Sequence, residues 1–285
     1  MNAIKLAPVV SALILGACSS PPVPPPPPPP PSPVSTSGQG IDLANDASDV
    51  LNELQDSRLE FVARYYRDLA SRWPTLSANE ARRLSALGLK IVAVWESHSR
   101  SPTHFSYSSG YYDAVMAYQQ ARAIGQPYGS AIYFAVDYNV PSQSLASIEE
   151  YFRGVAAGLT GEGGGTPSYA VGVYGSGAVC DAIKGAGLAR YCWLSNSFAW
   201  AGSTSYDGWD IMQGMPRSDL SFSQDSDEAR ADYGAFQVAG YGAAGYGAAG
   251  YGVATAREPT ALAAAGMPRL PQPGPSLIST ATASR

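Results

Sequence analysis

Apolar residues along the chain fall into short continuous runs, each closed by a polar or charged residue, and most of these runs are separated by longer amphipathic segments. The central run is Ala131–Asn139, AIYFAVDYN, which is β-rich and ends in the carboxylate Asp137 and the small polar Asn139. Runs of this length that stay apolar throughout read as strands covered on both faces, as in a parallel sheet flanked by helices. Similar runs occupy Gly40–Ala44, Phe61–Tyr66, Lys90–Trp95, Ala170–Gly175, Tyr191–Ser195 and Trp209–Gln213, and Leu220–Ser223 leads into Asp225-Ser226-Asp227. Helices are predicted over Ala47–Asp56, Ser77–Leu87, Tyr111–Ile124, Ser142–Leu159 and Gly177–Ala186. Asn45 or Asp46 can cap the first, and Ser77-Ala78-Asn79-Glu80 opens the second as a capping box, with the Glu80 side chain reaching back. After the sixth strand the alternation stops. Five βα units followed by three strands predict a TIM-like α/β barrel, (β/α)5 plus three, forming a single domain over residues 39–238.

Several of these runs end in an acid. Asp42, Glu96, Asp137 and Asp225 each stand at a predicted strand end, and in α/β barrels those ends converge on one mouth where the chemistry is built. A lone Asp before Asn and Pro141 is ordinary turn chemistry, but four acids at strand ends point to a site. Arg64, on the second strand, is expected to face the same mouth and to clamp a carboxylate or neutralise the acid cluster. The polar segment Ser97–Gly110 after the third strand has the length of a binding loop.

The chain ends read differently. Residues 1–17 combine Lys5, the apolar stretch Leu6–Leu15 and small residues, as a secretory signal does. Leu15-Gly16-Ala17-Cys18 resembles the bacterial lipobox, which implies cleavage before Cys18, lipidation of its thiol, and export to the bacterial cell membrane or outer membrane. Residues 18–38 hold a proline tract that forms a stiff polyproline II spacer. Residues 239–285, with the YGAAG repeat and a Pro/Ala/Ser tail, cannot bury enough apolar surface to fold and are expected to be disordered.

Charge and composition remove other classes. The formal net charge of -5 and the absence of a Lys/Arg run argue against nucleic acid. With 2 His in 285 residues, a His-based metal centre or a Ser-His triad has little material. The run Gly161–Gly165 lacks the Lys-Ser/Thr of a phosphate loop. No metal or cofactor is therefore expected, and a divalent-metal reading of Asp225-Ser226-Asp227 lacks further ligands. Cys180 and Cys192, left as a pair in an exported domain, can form a disulfide or remain as buried thiols. The 18 Tyr and 5 Trp offer rings that stack on sugar faces or fill the barrel wall.

Gly40-Ile41-Asp42, Phe61-Val62-Ala63-Arg64-Tyr65, Trp95-Glu96, Ile132–Asp137, Gly172-Val173-Tyr174-Gly175 and Asp225-Ser226-Asp227, taken in order, resemble the barrel of glycoside hydrolase family 25, the lysozyme-type muramidases. More closely, the span 40–236 is similar to the bacterial glycoside-hydrolase-like family built on that barrel. The resemblance implies that Asp42, Asp137 and Asp225 occupy three of the four acidic positions of the muramidases. Asn139 stands where the fourth, their catalytic Glu, would be. Glu96, beside Trp95, is the substitute: burial raises a carboxyl pKa and keeps it protonated as a general acid. Asp137 is then the base or nucleophile, and Asp42 and Asp225 tune the pair. Tyr65, Tyr174, Trp193 and Gln213 are expected to line a sugar cleft. Two functions remain: hydrolysis of a cell-wall polysaccharide by a surface lipoprotein, or binding of that polysaccharide by an inactive module.

Overall fold

In the computed structural model, which describes residues 36–238, eight strands close into one barrel in chain order. They are β1 (Thr36–Asp42), β2 (Phe61–Tyr66), β3 (Lys90–Trp95), β4 (Ala131–Ala135), β5 (Ala170–Gly175), β6 (Tyr191–Leu194), β7 (Ile211–Gln213) and β8 (Asp225–Arg230). The helices α1 (Leu51–Asp56), α2 (Ala78–Ala86), α3 (Tyr107–Ile124), α4 (Leu145–Glu162) and α5 (Gly177–Gly185) follow the first five strands in turn. Cys18, the signal and proline segments, and the repeat tail lie outside the described residues.

Alternation along each strand separates two cores. Phe61, Ala63, Val92, Val94, Tyr133, Trp193, Ile211 and Ala229 pack inside the barrel, whereas Ile41, Val62, Ile91, Ala93, Phe134 and Val173 pack outward against the helices. This is the period-two pattern of a sheet buried on both faces. Much of the interior is aromatic: Phe61 and Tyr233 rings lie 4.9 Å apart, and Tyr133 packs against both Tyr191 and Trp193. Gly172 makes room for this, because a Cβ there would overlap the Tyr133 ring.

Several expectations change. The last strand was expected to end at Asp225, within a parallel sheet; instead β8 begins there and runs antiparallel to both β1 and β7. Parallel neighbours need a crossover connection, usually a helix, while antiparallel ones can be joined at one end. The segment between β7 and β8 contains no helix, so the chain turns at the mouth and descends. Pairing with β8 also draws β1 back to Thr36, and the strand ends at Asp42 rather than Ala44.

Arg64 does not face the mouth. Its odd-numbered neighbours Ala63 and Tyr65 point inward, and Arg64 points outward, fully buried, beneath α2. Its guanidinium donates to both Glu80 oxygens and to the Leu43 carbonyl. This also alters the capping box. Ser77 caps α2 by accepting from the Glu80 N–H at 3.1 Å, but the Glu80 carboxylate turns away to Arg64 and to the Ala47 N–H. A buried guanidinium without a counterion costs far more than one unfilled cap, so the carboxylate is recruited there.

The expected first helix is divided into a 3-10 turn, Ala47–Asp49, capped by Asp46, and the short α1. Cys180 of α5 and Cys192 of β6 form a disulfide with a Cα–Cα distance of 5.7 Å, tying the outer layer to the barrel.

Candidate functional site

Seven parallel strands end, and β8 starts, around a single mouth. Asp42 and Asp225 are paired residues in the β1–β8 ladder, so both carboxyls arrive at the same level. Tyr65, Glu96, Asp137, Tyr174, Gln213 and Asp225 line a pocket of about 240 Å³ there. Trp193, 1% exposed, forms part of its floor.

Under the pocket lies a polar network. Asp42 is 5% exposed and accepts from the Tyr65 hydroxyl at 2.7 Å and from Gln213 Nε2 at 2.9 Å. Tyr174 in turn donates to Gln213 Oε1 at 3.0 Å. Burial pushes the Asp42 pKa up to about 6, against the two donors that favour the charged form. Two residues along β8, Asp227 sits wholly inside the barrel. It accepts from the Trp193 indole N–H at 2.9 Å through one oxygen, and the other has no partner. Burial first, and the Asp42 charge second, hold its carboxyl well above the usual range. Asp225 is likewise raised by burial.

Glu96 follows β3 directly. Burial and then the Asp137 charge raise its pKa, while Arg67, Arg100 and a 3.4 Å contact from the Ser99 hydroxyl oppose the shift. Asp137 lies two residues past β4. Its backbone N–H donates to the Ser99 carbonyl, and its Oδ2 accepts from Arg100 Nε. The Ser97–Arg100 segment is thus stitched to the end of β4, and it turns through His98 in the left-handed region at φ 56. The result is a protonation-favouring carboxyl next to an ion-paired carboxylate, the combination that general acid catalysis uses.

Asn139 is exposed and outside the pocket. Its Oδ1 accepts from the Ala201 N–H at 3.0 Å, holding the segment between β6 and β7. Among the described residues no three His, Cys, Asp or Glu side chains are grouped to hold a metal ion.

The mouth thus gathers Asp42, Glu96, Asp137, Asp225, Tyr65, Tyr174, Trp193 and Gln213, and leaves Arg64 out. Sequence reasoning missed Arg67, Arg100, Trp73 and the interior position of Asp227. Arg67 carried a usable signal, because it keeps the inward parity of Tyr65 just beyond the strand. A second cavity of about 560 Å³ shares Tyr65, Glu96 and Arg100 with the pocket and opens over Arg67, Asp68 and Trp73.

The Tat-secreted protein Rv2525c of Mycobacterium tuberculosis, crystallised in complex with HEPES, has a similar fold. The match has a TM-score of 0.59 and 20% identity, and covers 70% of this chain and 98% of that one. Two proteins of Bacillus subtilis strain 168, both described as uncharacterized, match in sequence. YbfG is 31% identical over 123 residues, 42% of this chain and 17% of its own length. FadG is 26% identical over 172 residues, 56% of this chain and 30% of its own length. The chain spans less than a third of either. The model of the Rv2525c-like, glycoside hydrolase-like domain matches residues 52–261. The likeness carried by the strand-end motifs therefore holds for this family, to which the chain belongs: the Rv2525c-like, glycoside hydrolase-like domain proteins.

Proposed function

We propose that the protein hydrolyses a glycosidic bond in a cell-envelope glycan of the peptidoglycan type, with Glu96 as general acid and Asp137 as its ionised partner. The reading rests on one observation above the others: Glu96, a half-buried carboxyl whose pKa burial raises, lines the same pocket at the barrel mouth as the Arg100-paired Asp137. Glu96 gives its proton to the leaving-group oxygen as the glycosidic C–O bond breaks. Asp137 faces the positive charge that develops at the anomeric carbon, as nucleophile or as base for water, and water completes the product. Asp42 and Asp225 set the field around the pair, and Tyr65, Tyr174 and Gln213 meet the sugar. No cofactor enters this scheme.

Rv2525c is Tat-secreted, and export of this chain accords with that. We extend the proposal to a domain at 39–238 carried on a spacer from a lipid-modified Cys18, with a disordered tail from 239.

Asn139 favours a second reading. The residue at the muramidase Glu position supports a loop instead of presenting a carboxyl, as it would in a module that binds glycan without cleaving it. Incubating the full chain with purified peptidoglycan and other envelope glycans separates the two. New reducing ends are expected from the wild type. Glu96→Gln should lower their release by about a hundredfold or more, the lower bound for losing a general acid, while still co-pelleting with the glycan. Activity should also fall as pH rises through the raised Glu96 pKa. Co-pelleting of the wild type with no new reducing ends would refute hydrolysis and leave the binding module.

A further inference from the structure

The larger cavity beside the mouth has an unusual wall. Arg67 is only 9% exposed, yet its guanidinium makes no ion pair and no hydrogen bond among the described residues, and its Nε is buried without a partner. Its position is nonetheless fixed. The Gln120 amide grips the Arg67 backbone on both sides, accepting from its N–H at 3.1 Å and donating to its carbonyl at 2.7 Å. The guanidinium carbon lies 4.3 Å from the centre of the Tyr65 ring. Burial works against its charge and pulls its pKa down, an imbalance that a bound anion would relieve.

Neither acid nearby pairs with it: Asp68 accepts from the Ala70 N–H at 2.8 Å, and Glu96, which accepts from the Ser99 hydroxyl, acts on Arg67 only through its charge, without an ion pair or hydrogen bond. At the rim of the same cavity Trp73 is 57% exposed, a free indole face of the kind that stacks on a pyranose ring. A fixed, planar, unpaired fork of donors matches a carboxylate in shape and charge.

We propose that this cavity binds a sugar residue carrying a carboxylate, with Arg67 holding the carboxylate and Trp73 covering a ring face. The sugar half of this proposal rests on the glycan reading above, while the anion half stands on Arg67 alone. Because the cavity shares Tyr65, Glu96 and Arg100 with the mouth, the acidic residue would lie next to the bond being cleaved.

The test is calorimetric titration of the full chain with a disaccharide of glucuronate and N-acetylglucosamine, with its neutral methyl ester, and with inorganic phosphate at matched ionic strength. The wild type is expected to bind the acid about tenfold or more tightly than the ester, the scale of one charge-assisted hydrogen bond. Arg67→Gln should erase that preference and Arg67→Lys restore part of it, whereas Trp73→Ala should weaken acid and ester alike. Equal binding of acid and ester by the wild type overturns the proposal, and that comparison needs no variant to fold. Phosphate binding as tightly as the sugar acid overturns it too, in favour of a bare anion site. An acid preference without turnover of any envelope glycan refutes hydrolysis alone; turnover with no acid preference refutes this proposal alone.

Discussion

Asp42→Asn probes the electrostatics of the mouth most directly. In the unfolded chain the Asp42 carboxyl ionises near 3.8, and in the fold near about 6. A group whose pKa rises on folding stabilises the protein fully below the unfolded value, and that contribution is lost as pH climbs through the folded value. The gap of about two units, at about 1.4 kcal/mol each, amounts to about 3 kcal/mol lost between pH 4 and 7. Asp42 is 5% exposed, so solvent screening takes little from this figure. Asparagine keeps an acceptor for the Tyr65 hydroxyl but sets an amide donor against Gln213 Nε2, a penalty of about 1 kcal/mol at every pH. The variant should therefore be about 1 kcal/mol less stable than the wild type at pH 4 and about 2 kcal/mol more stable at pH 7. Removing the charge also eases ionisation of Asp227, which acts in the same sense. Urea unfolding followed by tryptophan fluorescence at the two pH values measures both differences. A stability gap between variant and wild type that stays constant from pH 4 to 7 would refute the assignment of a raised pKa to Asp42.

Two further outcomes concern the scaffold. Glu80→Ala strands the fully buried Arg64 guanidinium and the Ala47 N–H, and should destabilise the protein by about 3–5 kcal/mol in urea unfolding. Glycan co-pelleting of the folded fraction should be unchanged, since Arg64 faces away from the mouth; a selective loss of binding would contradict that placement. Replacing Cys180 and Cys192 by Ser opens a loop of sequence separation 12 and should lower stability by about 3 kcal/mol, read as a drop in Tm relative to the oxidised protein.

The elements most legible in the sequence were those whose residues answer to a single local rule. Apolar runs buried on both faces, such as Ala131–Ala135 and Lys90–Trp95, can satisfy their backbone only in a covered sheet. The acids at Asp42, Glu96 and Asp137 were found because a strand's exit is marked by an abrupt change of polarity. What failed was information held between segments. The direction of β8 depends on which neighbours it pairs with, and nothing in Asp225-Ser226-Asp227 encodes that. Arg64 was placed on the wrong face because a shift of one residue reverses a strand's side chains, and the apolar neighbours on both sides hid the parity. Arg67, two positions past Tyr65, is the arginine following this strand that reaches the cavity beside the mouth. Arg100 comes from a loop whose path is set by the Asp137 N–H and the Ser99 carbonyl, contacts with no signature in the local sequence.

The antiparallel return of β8 has a bearing on how the molecule can be handled. Thr36 pairs with Arg230 at the end of the barrel opposite the mouth, and Phe236 pairs there with Ile91 at the foot of β3. Both the entry and the exit of the described chain are therefore on the closed floor, plugged by Phe61 and Tyr233. A support, a tag or a fused domain joined at either side of residues 36–238 is attached behind the barrel, and the carboxylates look outward. Held by either end of residues 36–238, the barrel keeps its mouth on the side away from the attachment.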